Sequence, residues 1–165
     1  MKDAPIKRMS TLFLQAVVIL IGIGTGAFML WEPHVEGRNA YATLFEMYFK
    51  DPFLAYVYIS SILFFVTLYK AFTLLGYIGQ NKIFSRDSVR ALRTIQYCAV
   101  ALVALIVAAI VFLIIAQGGR DDIAGGVAMG LFATFISVVI AAAAAVFERI
   151  VQSALDRKSE NVRTV

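Results

Sequence analysis

The chain has 165 residues, 61% hydrophobic and 16% charged, against about a quarter charged in an average soluble domain. Its formal net charge is +4 and its pI about 9.3, but the charges are segregated between long uncharged apolar blocks, so a bilayer is a simpler partner for them than nucleic acid. One cysteine, Cys98, and one histidine, His34, exclude an intrachain disulfide, a multi-cysteine or multi-histidine metal site, and haem held by two histidines of one chain.

Residues 1–9 carry Lys2, Lys7 and Arg8 against Asp3. The apolar run that follows is longer than the roughly 7–15 residues of a signal-peptide core and reaches Trp31 without a small-residue cleavage site. It predicts an uncleaved first span over about 10–31. Gly22 and Gly26 form a G-x-x-x-G pair suited to close helix approach; a phosphate-binding glycine loop is excluded because no strand precedes it. Glu32, Pro33 and Gly37 are expected to break this helix. From 39 to 50 the apolar residues Tyr41, Leu44, Phe45, Tyr48 and Phe49 follow helical spacing. They predict a short outer interfacial helix, with a lid over an outward-facing cavity as the rival reading.

Pro52 suits the first turn of the second span, about 53–75. Lys70 is the one clear charge inside a span. Two readings stand: a functional intramembrane cation, or a side chain whose stem snorkels to the headgroups. The stretch 76–96 then interrupts the apolar pattern. Gly76 and Gly79 are expected to end the second helix, since glycine accepts the left-handed cap conformation. Ser85 is the expected N-cap of the next, with Phe84 and Val89 as a hydrophobic staple. Lys82, Arg86, Arg90 and Arg93 stand here against the single acid Asp87, and the three arginines share one helix face. An anchor on anionic lipid headgroups is the first reading; a nucleic-acid or partner-protein site is the other.

The third span is predicted over about 94–116, a turn over 117–122, and the fourth span over about 123–147. Gly126 and Gly130, continued by Ser137, Ala141 and Ala145, form a second helix-packing seam. Beyond it Phe147, Ile150, Val151, Ala154 and Leu155 continue an apolar stripe among polar residues. The last helix is thus expected to extend into the cytosol as an amphipathic segment, with residues 158–165 frayed or extended. The architecture predicted is all-α: a single integral membrane domain over 1–165, built as a four-transmembrane-helix bundle with the outer interfacial helix and the cytosolic extension as additions. Twelve Lys and Arg fall on the side of the termini and the 76–96 hairpin, counting Lys70, and only Arg38, Lys50 and Arg120 on the other. That bias predicts both termini in the cytoplasm.

With the spans laid out, NKIFSRDSVRALRTI (81–95) resembles the bacterial domain-of-unknown-function family 2975 in its polar turn, its Phe-Ser, and its Leu-Arg at the start of the third span. The tail SENVRTV (159–165) is similar to that family's closing Glu-Asn-Asp-Leu-Thr-Val, with Val162 and Arg163 in place of the Asp and Leu. The resemblance implies a small four-span protein of the bacterial inner membrane. No catalytic residue carries over. Some members are encoded beside small helix-turn-helix regulators, which implies at most a regulatory partner.

No catalytic set can be assembled from the residues. Ser60, Ser61 and Ser137 lack a nearby base, and span hydroxyls ordinarily bond their own helix. Glu32, Glu36, Glu46, Asp51, Asp121 and Asp122 lack the ordered spacing of a calcium site, so no metal and no cofactor is expected. The leading expectation is a non-enzymatic membrane protein acting through protein–protein contacts, with a second copy or a regulatory partner, in the lipid bilayer and without nucleic acid. The alternative is a small transporter or channel subunit with an inner polar vestibule at Lys70, Gln96 and Glu148, with Gln15 near the inner end of the first span as a further lining candidate. Within that cluster Lys70 and Glu148 stand at similar depth, and two readings are open: an ion pair between them, or two side chains that snorkel independently to the headgroups.

Overall fold

The computed structural model describes residues 3–35, 52–117 and 123–163. These form four helices: α1 (Asp3–Val35), α2 (Pro52–Gly79), α3 (Arg86–Gln117) and α4 (Ala124–Arg163). Each contains a segment long and apolar enough to cross a membrane: Met9–Trp31, Phe53–Gly79, Arg86–Ala116 and Ala124–Glu160. No strand occurs among the described residues. The protein is an all-α four-helix bundle. The predicted interfacial helix over 39–50, most of the turn over 117–122, and all the acids of the calcium reading except the backbone of Glu32 lie outside the described residues.

The helices pack serially, α1 on α2, α2 on α3 and α3 on α4, with the last pairing the most extensive. Neighbours run antiparallel, so the N-termini of α1 and α3 meet the C-termini of α2 and α4 at one end. We call this the charged end. Large apolar side chains such as Leu20, Phe28, Ile115, Phe132 and Phe135 stay exposed along the spans, as a lipid solvent permits.

Glycines set the two outer pairings. Gly22 lies opposite Leu68 and Gly26 opposite Phe65, where an added Cβ would sit 3.6 and 3.9 Å from their side chains. Gly126 faces Leu113 at 3.9 Å, and Gly130 is pressed against Ile110, whose Cγ1 would be only 2.8 Å from a Cβ. Gly76 lies within α2, and Gly79, the last helical residue, does not take the left-handed cap conformation. Both are helical, and Gly79 abuts Thr11 of α1, where a Cβ would meet the threonine Cγ2 at 3.1 Å. Gly76 leaves room for the Gln15 amide, which donates to the Phe72 carbonyl at 3.2 Å. These two glycines serve close approach between helices.

Pro33 does not break α1, which continues to Val35. Proline has no N–H for the carbonyl four residues back, here that of Met29. The Tyr58 hydroxyl of α2 donates to that carbonyl at 2.6 Å, supplying from a neighbouring helix the bond the chain itself cannot make. On the other side of α2, the Tyr56 hydroxyl donates to the Leu105 carbonyl of α3 at 2.7 Å. Tyr58→Phe is therefore expected to destabilise the protein by about 1 kcal/mol, between the average for interhelical hydrogen bonds in membranes and the penalty for an orphaned carbonyl. In a Pro33→Ala background residue 33 regains its N–H, and the same change should then have less effect. Equal losses in both backgrounds, read from thermal melts in detergent, would dissociate the tyrosine from the proline.

Candidate interaction site at the charged end

The hairpin joining α2 to α3 is fixed by backbone hydrogen bonds. Lys82 N–H donates to the Tyr77 carbonyl at 2.8 Å and Asn81 N–H to the Ile78 carbonyl at 3.1 Å, with Asn81 at φ 55°. This is the Schellman pattern, with asparagine in the left-handed position expected for Gly76 or Gly79. Ser85 caps α3 as predicted: its Oγ accepts from Ser88 N–H at 3.2 Å. Ser88 is fully buried, its hydroxyl 3.1 Å from that of Ser85 and donating to the Lys82 carbonyl at 3.3 Å. It ties the turn to the helix, a role no local pattern signalled. Phe84 remains 58% exposed while Val89 is buried, so Val89 owes its burial to packing beyond the predicted staple.

That packing is against α4. Val89, Leu92 and Ile95 of α3 form one apolar cluster with Ala144 and Val151 of α4; Leu155 and, from α2, Ala71 and Leu74 close its sides. The amphipathic extension is docked rather than free. The apolar stripe is split by this docking: Val151 is 2% exposed, whereas Phe147 and Ile150 are turned outward. The end of α4 stays helical to Arg163 instead of fraying. Residues 156–163 contain neither glycine nor proline, so nothing local stops the helix.

The predicted polar cluster is not assembled. Glu148 is held by Arg93, whose Nε and Nη2 lie 2.9 and 2.8 Å from the same oxygen, Oε1. Lys70 makes no ion pair among the described residues; its ammonium lies 5.6 Å from the centroid of the Tyr69 ring. The Lys70–Glu148 ion-pair reading is thus replaced by Arg93–Glu148, because Glu148 is on α4, whose main packing partner is α3. Gln96 lines a shallow groove of about 300 Å³ with Val100, Val103 and Ala141, on the side of α3 away from α2. Gln15, a further candidate for the vestibule, is spent on the α1–α2 hydrogen bond.

Of the four predicted anchor residues, Arg93 is engaged by Glu148, and Arg90 has only a long contact with Asp87, 3.9 Å between exposed groups. Arg86 and Lys82 have no acidic partner among the described residues. Arg86, Arg90 and Arg93 line one wall of an open cleft of about 660 Å³, and Gln152, Asp156, Lys158 and Ser159 of α4 line the other. Val89 and Leu155 form its apolar floor. No group of metal-ligating side chains occurs among the described residues, and Cys98 is a half-buried free thiol.

The Arg93–Glu148 bridge leads to a direct test. Arg93→Glu should lower the thermal midpoint by a few degrees, the scale of a partly exposed pair in a chain of this size. The exchanged double variant Arg93→Glu, Glu148→Arg should recover most of the loss. A double variant no better than the worse single one would mean that the two side chains do not interact.

Comparison with known proteins agrees with this architecture. Residues 39–165 match the family described as a protein of unknown function, DUF2975. The chain is 42% identical over 160 residues to an uncharacterized membrane protein, YoaS, of Bacillus subtilis (strain 168), covering 96% of this chain and 99% of that one. No solved structure matches.

Proposed function

The chain belongs to the DUF2975 family of membrane proteins of unknown function, and from its geometry we propose that it is a non-enzymatic contact protein of the bacterial cytoplasmic membrane. In this reading its charged end faces the cytoplasm and engages a second protein, either another copy or a regulatory partner. One observation carries the proposal: the burial of apolar side chains among the described residues is concentrated toward the charged end, in helices longer than the bilayer requires. A helix rises about 1.5 Å per residue, so about 20 residues cross the hydrocarbon, whereas α3 has 32 and α4 has 40. The surplus is organised. Most of the buried apolar residues, from Val89 to Ile95 on α3 and at Ala144 and Val151 on α4, stand at or past the point where the lipid core should end. A rigid two-helix platform with its own apolar core is what a docking surface needs, and a membrane anchor alone has no use for it.

The excess of Lys and Arg at this end supports the cytoplasmic orientation. The dispersal of Lys70, Gln96 and Glu148 removes the observation that motivated a transport pathway. The test is photo-crosslinking in native membranes from a reactive residue at Ser153, on the exposed side of α4. Discrete adducts, lost when the probe is moved to lipid-facing Phe132, are expected. A protein that remains monomeric and forms no adduct would remove the basis for the proposal. Reporter fusions at the N-terminus, near Asn81 and after Val165 should all give a cytoplasmic signal; an external signal at Asn81 would invert the orientation.

A further inference from the structure

We propose that the cleft between the start of α3 and the end of α4 binds a phosphate group, between Arg86 and Arg90 on one wall and Lys158 on the other. The argument begins with charge. Four cations line the cleft, Arg86, Arg90, Arg93 and Lys158, against one lining acid, Asp156. Arg93 is neutralised by Glu148 at 2.8 Å and closes the end of the cleft nearest the membrane. Arg86 and Lys158 have no acid at ion-pairing distance among the described residues. Arg90 is separated from Asp87 by 3.9 Å, with both side chains mostly in solvent, a contact weak enough for a ligand to displace. Asp156 is engaged by the Gln152 amide at 3.2 Å, which offsets part of its repulsion for an anion.

Three further features point the same way. Guanidinium groups present paired N–H donors that match phosphate oxygens. The cleft opens beside the first turn of α3, where the free N–H groups and the helix dipole add to the positive potential. Its volume of about 660 Å³ is within the range of small-molecule sites, and the Val89–Leu155 floor offers apolar surface to the body of a phosphate ester. Depth then separates this cleft from a simple headgroup anchor. Counting about 20 residues of α3 inward from Gln117 ends the hydrocarbon near Tyr97. Arg86 then stands about 16 Å further out, past a headgroup layer of roughly 5–8 Å. The cleft therefore runs from headgroup level at Arg93 into water at Arg86 and Lys158. A phosphate could enter from either side, on a lipid or on a soluble ester.

Purified full-length protein in an uncharged maltoside detergent distinguishes the sources. Two probes are titrated by calorimetry, inorganic pyrophosphate and dihexanoylphosphatidylglycerol. Saturable binding of at least one is expected, weakened tenfold or more by Arg86→Gln and by Lys158→Gln, and weakened further in high salt. Arg157→Gln, an exposed cation outside the cleft, should leave it unchanged. Binding of pyrophosphate assigns the site to soluble phosphates, and binding of the lipid alone assigns it to headgroups; either supports the proposal. The substituted side chains are solvent-exposed, so melting temperatures close to that of the unaltered protein should accompany the loss. If neither probe binds, or if Arg86→Gln and Lys158→Gln bind as the unaltered protein does, the cleft is not a phosphate site.

Discussion

Gly130→Leu should force α3 and α4 apart and destabilise the protein by about 3 kcal/mol, at the upper end of the usual penalty for overpacking. A Cβ at residue 130 would already lie 2.8 Å from Ile110 Cγ1 and 2.9 Å from its Cδ1, and Ile110 is itself buried. A leucine adds three further carbons in the same direction. The alanine variant is more finely balanced. It gains about 1 kcal/mol of helix propensity over glycine, and the isoleucine end can yield by a few tenths of an ångström. Two controls isolate the contact. Gly125→Leu, where nothing lies within 4 Å of the added Cβ, should be neutral or stabilising. Ile110→Ala should reduce the penalty of Gly130→Leu in a double-mutant cycle. Thermal melts in detergent give the readout, and a harmless Gly130→Leu would mean that α3 and α4 are not seated on this glycine.

The same residue shows what the sequence could reveal. That Gly130 faces a neighbouring helix is legible, because small residues at four-residue intervals in an apolar run have few other uses. The four spans and the Ser85 cap are legible for a similar reason: each depends on residues within one or two turns of each other. Gly76 and Gly79 show the limit. Glycine suits both a left-handed cap and a close contact, and only the position of Thr11 and Gln15 on another helix decides between them. The cap fell to Asn81, which tolerates positive φ and stands where the helical bonds of α2 run out. Pro33 reads locally as a helix breaker, because the hydroxyl that completes its turn comes from Tyr58, 29 positions from the carbonyl it bonds.

The Lys70–Glu148 ion-pair reading failed for a related reason. Counting along helices gives depth, and both residues do lie toward the charged end. Depth does not tell which helix stands beside which. In a serial arrangement α4 has α3 as its main neighbour, so the acid finds Arg93. The cleft was half visible: the arginines of α3 were evident as a cluster, but the opposite wall with Lys158 required knowing that the end of α4 is helical and folds back along α3.

Val151→Asp should detach the end of α4 from α3, at about 4 kcal/mol, the scale of an uncompensated charge in a buried site. Val151 is 2% exposed and lies in the cluster of Val89, Leu92 and Ile95. No cation belongs to that cluster, and the nearby Arg93 is already committed to Glu148. The carboxylate would have to reach water by separating the helices. Ser153→Asp, two residues on and exposed, adds the same charge without this penalty and should be close to neutral; Val151→Ala should fall between. Because the cluster sits at the charged end, the damage should be local, with the far parts of the spans still paired through Gly126 and Gly130. Limited trypsin digestion of membrane vesicles exposing that end reads this out: cleavage after Arg86, Arg90, Arg93 and Lys158 should accelerate in Val151→Asp while the spans stay protected. It should also abolish any phosphate binding in the cleft, since the two walls come from the helices it separates. Unchanged cleavage in Val151→Asp would show that α3 and α4 do not rely on this cluster, and the rigid platform on which the proposed contact function rests would be lost with it.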